Sequence, residues 1–188
     1  MPVPRPFLKW AGGKGQLLGE LRARVAMAGD FERYHEPFVG GGALFFELYR
    51  AGRLGRSKAL LSDKNANLID AYLGVQRDVD RVIALLEEHQ ALHGEEHYYA
   101  VRAEVPEDLL ARAARIIYLN KTCFNGLYRE NSRGRFNVPI GRYKNPSICD
   151  AENLRAAADA LRRAKIEQRH FETVLKKAKP GDLVYFDP

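Results

Sequence analysis

The chain has 188 residues, of which 46% are hydrophobic and 29% charged, a composition typical of one globular core with room for a small inserted subdomain. It contains no long apolar run and no signal peptide, and its two cysteines (Cys123 and Cys149) have no metal-type spacing, so we expect a cytoplasmic protein rather than a membrane or secreted one. The formal net charge of +6 mildly favours a polyanionic partner.

The first segment is rich in glycine, and helical spacing follows it from Gln16 to Val25. No Ser or Thr follows Lys14, and the glycine spacing differs from that of a phosphate-binding loop. The segment therefore does not indicate a nucleotide triphosphate site.

A glycine loop, residues 38–42, lies between a short strand and an amphipathic run that starts at Ala43. Glycines let the backbone turn sharply and approach a ligand, while the following helix N-terminus faces the same place. Asp63 follows the next apolar run, at a strand's carboxyl end, where a ribose hydroxyl pair needs an acceptor. These features predict a nucleoside cofactor. Asn65, or Asp63 itself, is the expected cap of a helix through about Val75.

The middle of the chain has helical periodicity from Val79 to His89 and again from Leu109 to Ile117, with Pro106 expected in a first helical turn between them. We therefore predict a helical insertion. Residues 127–138 then predict a β-hairpin whose turn is residues 131–134.

The last part predicts a helix from Ala151 to Ala164, a strand from Ile166 to His170 and a buried strand over residues 183–186. Asp187 ends that strand. Because ligands bind outside the carboxyl ends of parallel strands, three acids from separate strands are expected to converge there. They are Glu36, Asp63 and Asp187.

Charge is concentrated between Asn120 and Asn145, where six basic residues and one acidic residue give a net charge of +5. The same segment holds four aromatic residues. A basic, aromatic, loop-rich stretch favours a nucleic-acid surface, and the alternative is a solvated loop with incidental arginines.

Six motifs occur in order along the chain and together resemble the Dam-type DNA adenine methyltransferases. They are residues 7–14, residues 36–42, Asp63-Lys64-Asn65, residues 125–129, residues 134–143 and Asp187-Pro188. The resemblance covers about residues 7–188. It implies an α/β fold with the Rossmann-like sheet of class I methyltransferases, incomplete at its C-terminus, and a mainly helical DNA-recognition insertion carrying the hairpin. It assigns residues 1–76 and 164–188 to the catalytic core and residues 77–163 to target recognition.

The resemblance also implies the cofactor S-adenosyl-L-methionine, the product S-adenosyl-L-homocysteine and no metal. Trp10 would pack on the cofactor, Lys14 would make a polar contact, the glycine loop would wrap the methionine part and Asp63 would hold the ribose. The implied cofactor residues are Trp10, Lys14, Glu36, Phe38, Gly40, Gly42, Asp63 and Asp187.

The implied catalytic residues are Asp187 and Pro188. A carboxylate and a backbone carbonyl that accept the two N–H bonds of adenine's amino group localise its lone pair for in-line methyl transfer. The family's motif reads Asp-Pro-Pro-Tyr, and its Tyr stacks on an adenine flipped out of the duplex. Here the second Pro and the Tyr are missing, so we expect the 188-residue polypeptide to be marginally stable and inactive.

The resemblance implies double-stranded DNA as partner, with GATC as the usual target. The implied DNA-binding residues are Asn125, Leu127, Arg129, Pro139 and Arg142. Arg129 is best suited to pair with guanine O6 and N7, and Arg142 would contact a phosphate. We expect a monomer. The resemblance leaves open whether the enzyme protects DNA from a cognate restriction endonuclease or marks it for repair and replication.

Two other functions compete with this one. A DNA-binding remnant without catalysis is the alternative raised by the shortened motif. A nicotinamide-dependent oxidoreductase is disfavoured, because Phe45 replaces the third glycine of the dinucleotide fingerprint and the basic segment would have no role.

Overall fold

The structure is a computed structural model that describes residues 2–10, 17–54 and 58–188. Its centre is a sheet of four parallel strands in the order β3-β2-β1-β4. The strands are β1 (Arg33–Glu36), β2 (Lys58–Asp63), β3 (Ala164–Gln168) and β4 (Leu183–Val184). The α/β class predicted from the sequence is confirmed. Because β2 and β3 lie on one side of β1 and β4 on the other, the winding reverses between β1 and β4.

Eight α-helices lie within the described residues, and a short 3-10 turn (Phe124–Gly126) follows the sixth. The helices are α1 (Leu18–Met27), α2 (Ala43–Arg50), α3 (Ala66–Arg77), α4 (Val79–Ala91), α5 (Glu95–Ala103), α6 (Leu109–Thr122), α7 (Ala151–Leu161) and α8 (Thr173–Lys177). The helical middle of the chain is thus confirmed as α4, α5 and α6.

Several helices begin at an Asn or Asp whose side chain accepts a hydrogen bond from the first turn, which satisfies a backbone donor that the helix leaves unpaired. Asn65 accepts from the Leu68 N–H at the start of α3, and Asp150 does so for α7. Both starts were predicted. Asp108 caps α6, so Pro106 lies in the linker before that helix. The prediction that Pro106 lies in a first helical turn is therefore wrong.

Several predicted boundaries in the last part of the chain are wrong. Helix α7 ends at Leu161 and not at Ala164, because Ala164 already pairs with β2 in strand β3, which accordingly ends at Gln168. Strand β4 stops at Val184, because its partner β1 ends at Glu36 and the next residue, Pro37, has no N–H to pair.

The predicted hairpin is present as a turn and isolated bridges rather than as continuous strands. The Gly134 N–H donates to the Asn131 carbonyl at 2.9 Å, which confirms the turn, and Glu130 bridges Phe136 in antiparallel fashion. Backbone bonds flank this bridge, from the Asn137 N–H to the Arg129 carbonyl at 2.8 Å and from the Asn131 N–H to the Arg135 carbonyl at 2.9 Å, but Pro139 has no N–H with which to extend them into a ladder.

Helix α3 joins the helical part of the chain to the sheet. It contacts β2 and β3 on one side and α4, α6 and α7 on the other. Gly74 of α3 lies directly against Ala113 of α6, so any side chain at residue 74 would collide with that helix. The core therefore runs without interruption from the sheet into the helices. Among the described helices, none is both long and apolar enough to cross a membrane.

Candidate active site and nucleic-acid interface

A cleft of about 630 Å³ opens at the carboxyl ends of β1, β2 and β4, where the winding of the sheet reverses. Ligands of open α/β sheets bind at this position. Its walls come from the segment 6–10, the glycine loop and the start of α2, and it contains the three strand-end acids. Glu36, Asp63 and Asp187 therefore lie together as expected from the sequence.

The glycine loop is held in a conformation that other residues adopt only with strain. Gly40 has φ +47° and Gly42, at the start of α2, has φ +67°. The Tyr72 hydroxyl, reaching over from α3, donates to the Gly40 carbonyl at 3.0 Å. A Cβ on Gly42 would lie 2.7 Å from that hydroxyl oxygen, and one on Gly40 would lie 2.9 Å from Cδ1 of Trp10. Glycine is required at both positions by backbone angle and by space.

The Asp63 carboxylate is fixed at the end of β2 by two backbone donors. Oδ1 accepts from the Asn65 N–H at 2.9 Å, and Oδ2 accepts from the Gly40 N–H at 3.4 Å. A carboxylate oxygen has more than one lone pair, so both oxygens keep acceptor capacity toward the cleft. The carboxylate also connects β2 to the glycine loop.

Glu36 is the buried acid of the cleft, with 2% of its surface exposed. Its Oε2 accepts a hydrogen bond from the Tyr34 hydroxyl at 2.8 Å. Burial raises the pKa of Glu36 to about 8; the neighbouring Asp187 adds to the rise, while hydrogen bonds from Tyr34 and the Phe45 backbone oppose it. Glu36 is thus largely protonated at neutral pH.

This pKa predicts how stability changes with pH. Between about pH 4.5 and pH 8, the unfolded chain loses the Glu36 proton while the folded chain keeps it, so folding becomes less favourable as pH rises. We expect Glu36→Gln to remove this effect and to become more stable than the wild type by a few kcal/mol, on the order of 1.4 per pKa unit, by pH 8. Urea unfolding at pH 5, 6.5 and 8 measures it, and a stability difference that is the same at all three pH values would contradict it.

Trp10 and Phe38 form an aromatic rim of the cleft, and each packs against further rings beside it. The Trp10 ring lies 5.0 Å from that of Tyr128, and Phe38 stacks at 5.2 Å on Phe171, which follows β3. Phe186 joins Phe38 at 6.2 Å. Phe38, supported by Phe171, therefore presents to the cleft that holds Asp63 a flat apolar ring of the kind that a purine needs. Phe171 was not predictable from the sequence, because nothing in its local pattern relates it to a residue 133 positions earlier.

The last cleft residues follow β4. Tyr185, Asp187 and Pro188 all line the cleft. Burial, together with Asp187 and Glu36, raises the pKa of Tyr185 to about 12, so this phenol stays protonated at neutral pH. Lys14, the remaining predicted cofactor residue, lies outside the described residues.

The five predicted DNA-binding residues occupy one exposed surface around the end of α6. The Phe124 N–H donates to the Pro139 carbonyl at 2.9 Å, which joins the loop of Asn125 and Leu127 to the segment that follows the hairpin turn. Asn125 has φ +54°, and Leu127 is 44% exposed. One Arg129 nitrogen donates to the Asn137 carbonyl at 2.7 Å, which leaves its other donors for a ligand.

Phe124, an aromatic residue of the predicted basic segment, and Lys9, which was not predicted to bind DNA, lie on the same surface. Phe124 is 47% exposed, an unusual position for a large apolar side chain. The Lys9 ammonium lies 4.6 Å from the centre of the Tyr143 ring, between the cleft and the basic loops. Arg142 and Lys144 are exposed nearby. The basic surface and the cleft are therefore adjacent.

Comparisons with known proteins agree with this geometry. A family model described as the D12 class N6 adenine-specific DNA methyltransferase matches residues 10–188. The chain is 43% identical to the type II methyltransferase M.MjaIII of Methanocaldococcus jannaschii, over 98% of the chain and 68% of that protein. It is 42% identical to the type II methyltransferase M1.LlaDCHI of Lactococcus lactis subsp. cremoris, over 98% of the chain and 65% of the relative. It is 35% identical to the DNA adenine methylase of Escherichia coli K12, over its whole length and 66% of the relative. The chain thus spans about two thirds of the length of these relatives.

Proposed function

The chain belongs to the D12 class of N6 adenine-specific DNA methyltransferases, and on that basis we propose that its cleft binds S-adenosylmethionine and its basic loops bind duplex DNA at GATC. The observation that carries the proposal is the convergence of three strand-end acids, the glycine loop and an aromatic rim in one cleft beside a basic surface. The division into a catalytic core (residues 1–76 and 164–188) and a target-recognition part (residues 77–163) belongs to the same proposal.

The groups in the cleft fit this cofactor chemically. The Asp63 carboxylate is placed to accept hydrogen bonds from a vicinal pair of ribose hydroxyls, and Phe38 with Phe171 offers a surface for adenine. A carboxylate ligand suits the N-terminus of α2, where backbone N–H groups of the first turn face no helical carbonyl. Asp187 supplies the carboxylate that an ammonium and a sulfonium prefer, and the largely protonated Glu36 offers a polar oxygen in the same cleft.

When bound, the cofactor supplies an electrophilic methyl group. In the proposed reaction, Asp187 and the Pro188 carbonyl accept the two amino N–H bonds of an adenine flipped out of the duplex, which localises the nitrogen lone pair. The high pKa of Tyr185 keeps a neutral hydroxyl beside Asp187, so no second negative charge forms there at neutral pH. The glycine loop and Trp10 fix the geometry of the cleft, and positioning accounts for most of the rate.

Calorimetry and methyl transfer test the proposal separately. The chain should bind S-adenosylmethionine and S-adenosylhomocysteine, and NAD should bind far more weakly; the reverse order would contradict the cofactor assignment. Labelled methyl groups are then followed into a GATC duplex and into a duplex without that site. Transfer confined to the GATC duplex would support the proposed function, whereas binding of cofactor and DNA without transfer would favour a DNA-binding chain without catalysis.

Arg129 is proposed to select guanine. We expect Arg129→Ala to reduce the preference for a GATC duplex over a duplex in which another base pair replaces the guanine pair by roughly 5- to 160-fold, since a bidentate arginine–guanine pair is worth about 1–3 kcal/mol. Competition binding measures the preference. Arg135 is an exposed arginine of the same hairpin, and Arg135→Ala is the control. It should weaken the binding of both duplexes equally. Unchanged selectivity in Arg129→Ala would refute the assignment.

A further inference from the structure

The side chain of Asn120, near the end of α6, joins two segments that are far apart in the sequence. Its Oδ1 accepts from the Lys9 N–H at 2.7 Å, and its Nδ2 donates to the Lys9 carbonyl at 2.7 Å and to the Gly126 carbonyl at 3.3 Å. Asn120 is 1% exposed. Both amide protons and the amide oxygen are therefore used, and each bond is shielded from water.

The first of these segments is a wall of the cleft. Leu8, Lys9 and Trp10 all line it. The Trp10 ring packs so closely on the glycine loop that a Cβ on Gly40 would lie 2.9 Å from its Cδ1. A change in the position of Lys9 would therefore move the face that the cofactor is proposed to contact.

The second segment carries the proposed DNA contacts. Gly126 has φ +63°, and a Cβ there would lie 2.5 Å from Cδ of Lys9, so the loop rests directly on the Lys9 side chain. Asn125 precedes this glycine and Leu127 follows it, and both are exposed. The loop and the cleft wall thus meet at one residue and are bonded to one amide.

Resting on the function proposed above, we propose that Asn120 is a positioning residue that couples the two binding events, so that cofactor and DNA each tighten the binding of the other. The Asn120 amide fixes the position of the cleft wall relative to the loop. A ligand that orders either segment lowers the entropy lost when the other is ordered. Thermodynamic linkage makes the effect reciprocal.

The chain contains a matched control. Asn153 of α7 pairs with the backbone of Arg5 in the same way: its Oδ1 accepts the Arg5 N–H at 3.0 Å, and its Nδ2 donates to the Arg5 carbonyl at 3.2 Å. It is 5% exposed. Asn153→Ala therefore removes an equivalent pair of hydrogen bonds from the same N-terminal stretch, but at a residue outside the cleft wall.

The contact itself is tested without ligands, by hydrogen exchange followed with mass spectrometry. Asn120→Ala should speed exchange in residues 8–10 and 124–127 together, whereas Asn153→Ala should affect the stretch around Arg5. If Asn120→Ala folds poorly, Asn120→Leu keeps a similar shape and volume without burying a charge and loses all three bonds, with Asn153→Leu as its control. Unchanged exchange in residues 124–127 of a folded Asn120 variant would overturn the proposal.

The coupling is tested by titrating a fluorescent GATC duplex with and without saturating S-adenosylhomocysteine, and by following cofactor binding through Trp10, the single tryptophan of the chain. We expect the cofactor to tighten DNA binding about 5-fold or more in the wild type and in Asn153→Ala, and to leave it nearly unchanged in Asn120→Ala. If Asn120 had a merely structural role, Asn120→Ala would weaken the binding of each ligand but leave the ratio of DNA affinities with and without cofactor unchanged. That result would overturn the proposal. A wild-type chain that binds neither ligand would contradict the proposed function, whereas one that binds both without coupling would contradict only this inference.

Discussion

Replacing Gly42 with alanine is expected to remove detectable binding of S-adenosylmethionine. The new Cβ would lie 2.7 Å from the Tyr72 hydroxyl oxygen and 3.4 Å from Cε2 of Phe46, and both rings are buried. Tyr72 cannot move without releasing the Gly40 carbonyl, so the glycine loop must open. Displacement of a binding loop by about 1 Å can reduce function by about 100-fold. The free energy of unfolding should also fall, by about 1 kcal/mol for the positive φ and by about 1–3 kcal/mol for the overpacking.

Gly52 provides the control for this prediction. It has φ +68°, the same backbone conformation as Gly42, but a Cβ there would meet nothing within 4 Å. Gly52→Ala should therefore lose only the conformational part, about 1 kcal/mol, and bind the cofactor as the wild type does. Calorimetry with S-adenosylhomocysteine and urea unfolding give the two readouts. Equal losses in both variants would show that backbone angle alone, and not the contact with Tyr72, explains the effect.

The part of the site that was predictable from the sequence is the part that local chemistry dictates. The glycines of the loop indicated a sharp backbone turn before a helix, and Gly40 and Gly42 make that turn with positive φ. Asp63 and Asp187 followed apolar runs, and since parallel strands end at the same edge of a sheet, their convergence could be deduced without coordinates.

Residues that act across the fold were not predictable in this way. Tyr72 and Asn120 lie on helices with an ordinary apolar periodicity, and a buried polar side chain on such a helix does not reveal its partner. Their hydrogen bonds span 32 and 111 residues of sequence. The hairpin was overpredicted: alternation and a good turn favour a ladder, but Pro139 has no N–H with which to extend the few backbone bonds around the turn.

The strand that leads to Asp187 is short, and we expect Asp182→Ala to show that side chains hold it in place. Strand β4 pairs with β1 at only two positions, and the Tyr185 N–H adds one bond to the His35 carbonyl at 2.9 Å. The Asp182 carboxylate, with no exposed surface, accepts from Arg33 at 2.7 and 3.0 Å and from the Lys179 N–H at 2.9 Å, and it lies 3.0 Å from Nε2 of His35.

Removing the Asp182 carboxylate leaves the partly buried Arg33 guanidinium without its counter-charge. Loss of one partner of a buried ion pair costs about 3 kcal/mol or more, which lowers the melting temperature of a chain of this size by roughly 6–12 °C.

The same substitution should weaken cofactor binding, because Tyr185 and Asp187 follow directly from the strand that Asp182 anchors. Asp78→Ala is the control: Asp78 is exposed and caps α4 by accepting the Arg81 N–H at 3.0 Å, so its loss should cost about 1 kcal/mol and leave the cleft intact.

The dependence of stability on acid pH distinguishes the effect of the Asp182 charge from an effect of packing. Burial favours the protonated form of Asp182, but hydrogen bonds from Arg33, Lys179 and His35 outweigh burial and hold its pKa below the usual range. Its stabilisation is therefore present above about pH 4, the ordinary aspartate value, and is lost as pH falls below it. The stability difference between wild type and Asp182→Ala should stay constant from pH 7 to pH 5 and shrink in stronger acid, whereas a difference due to packing alone would persist there.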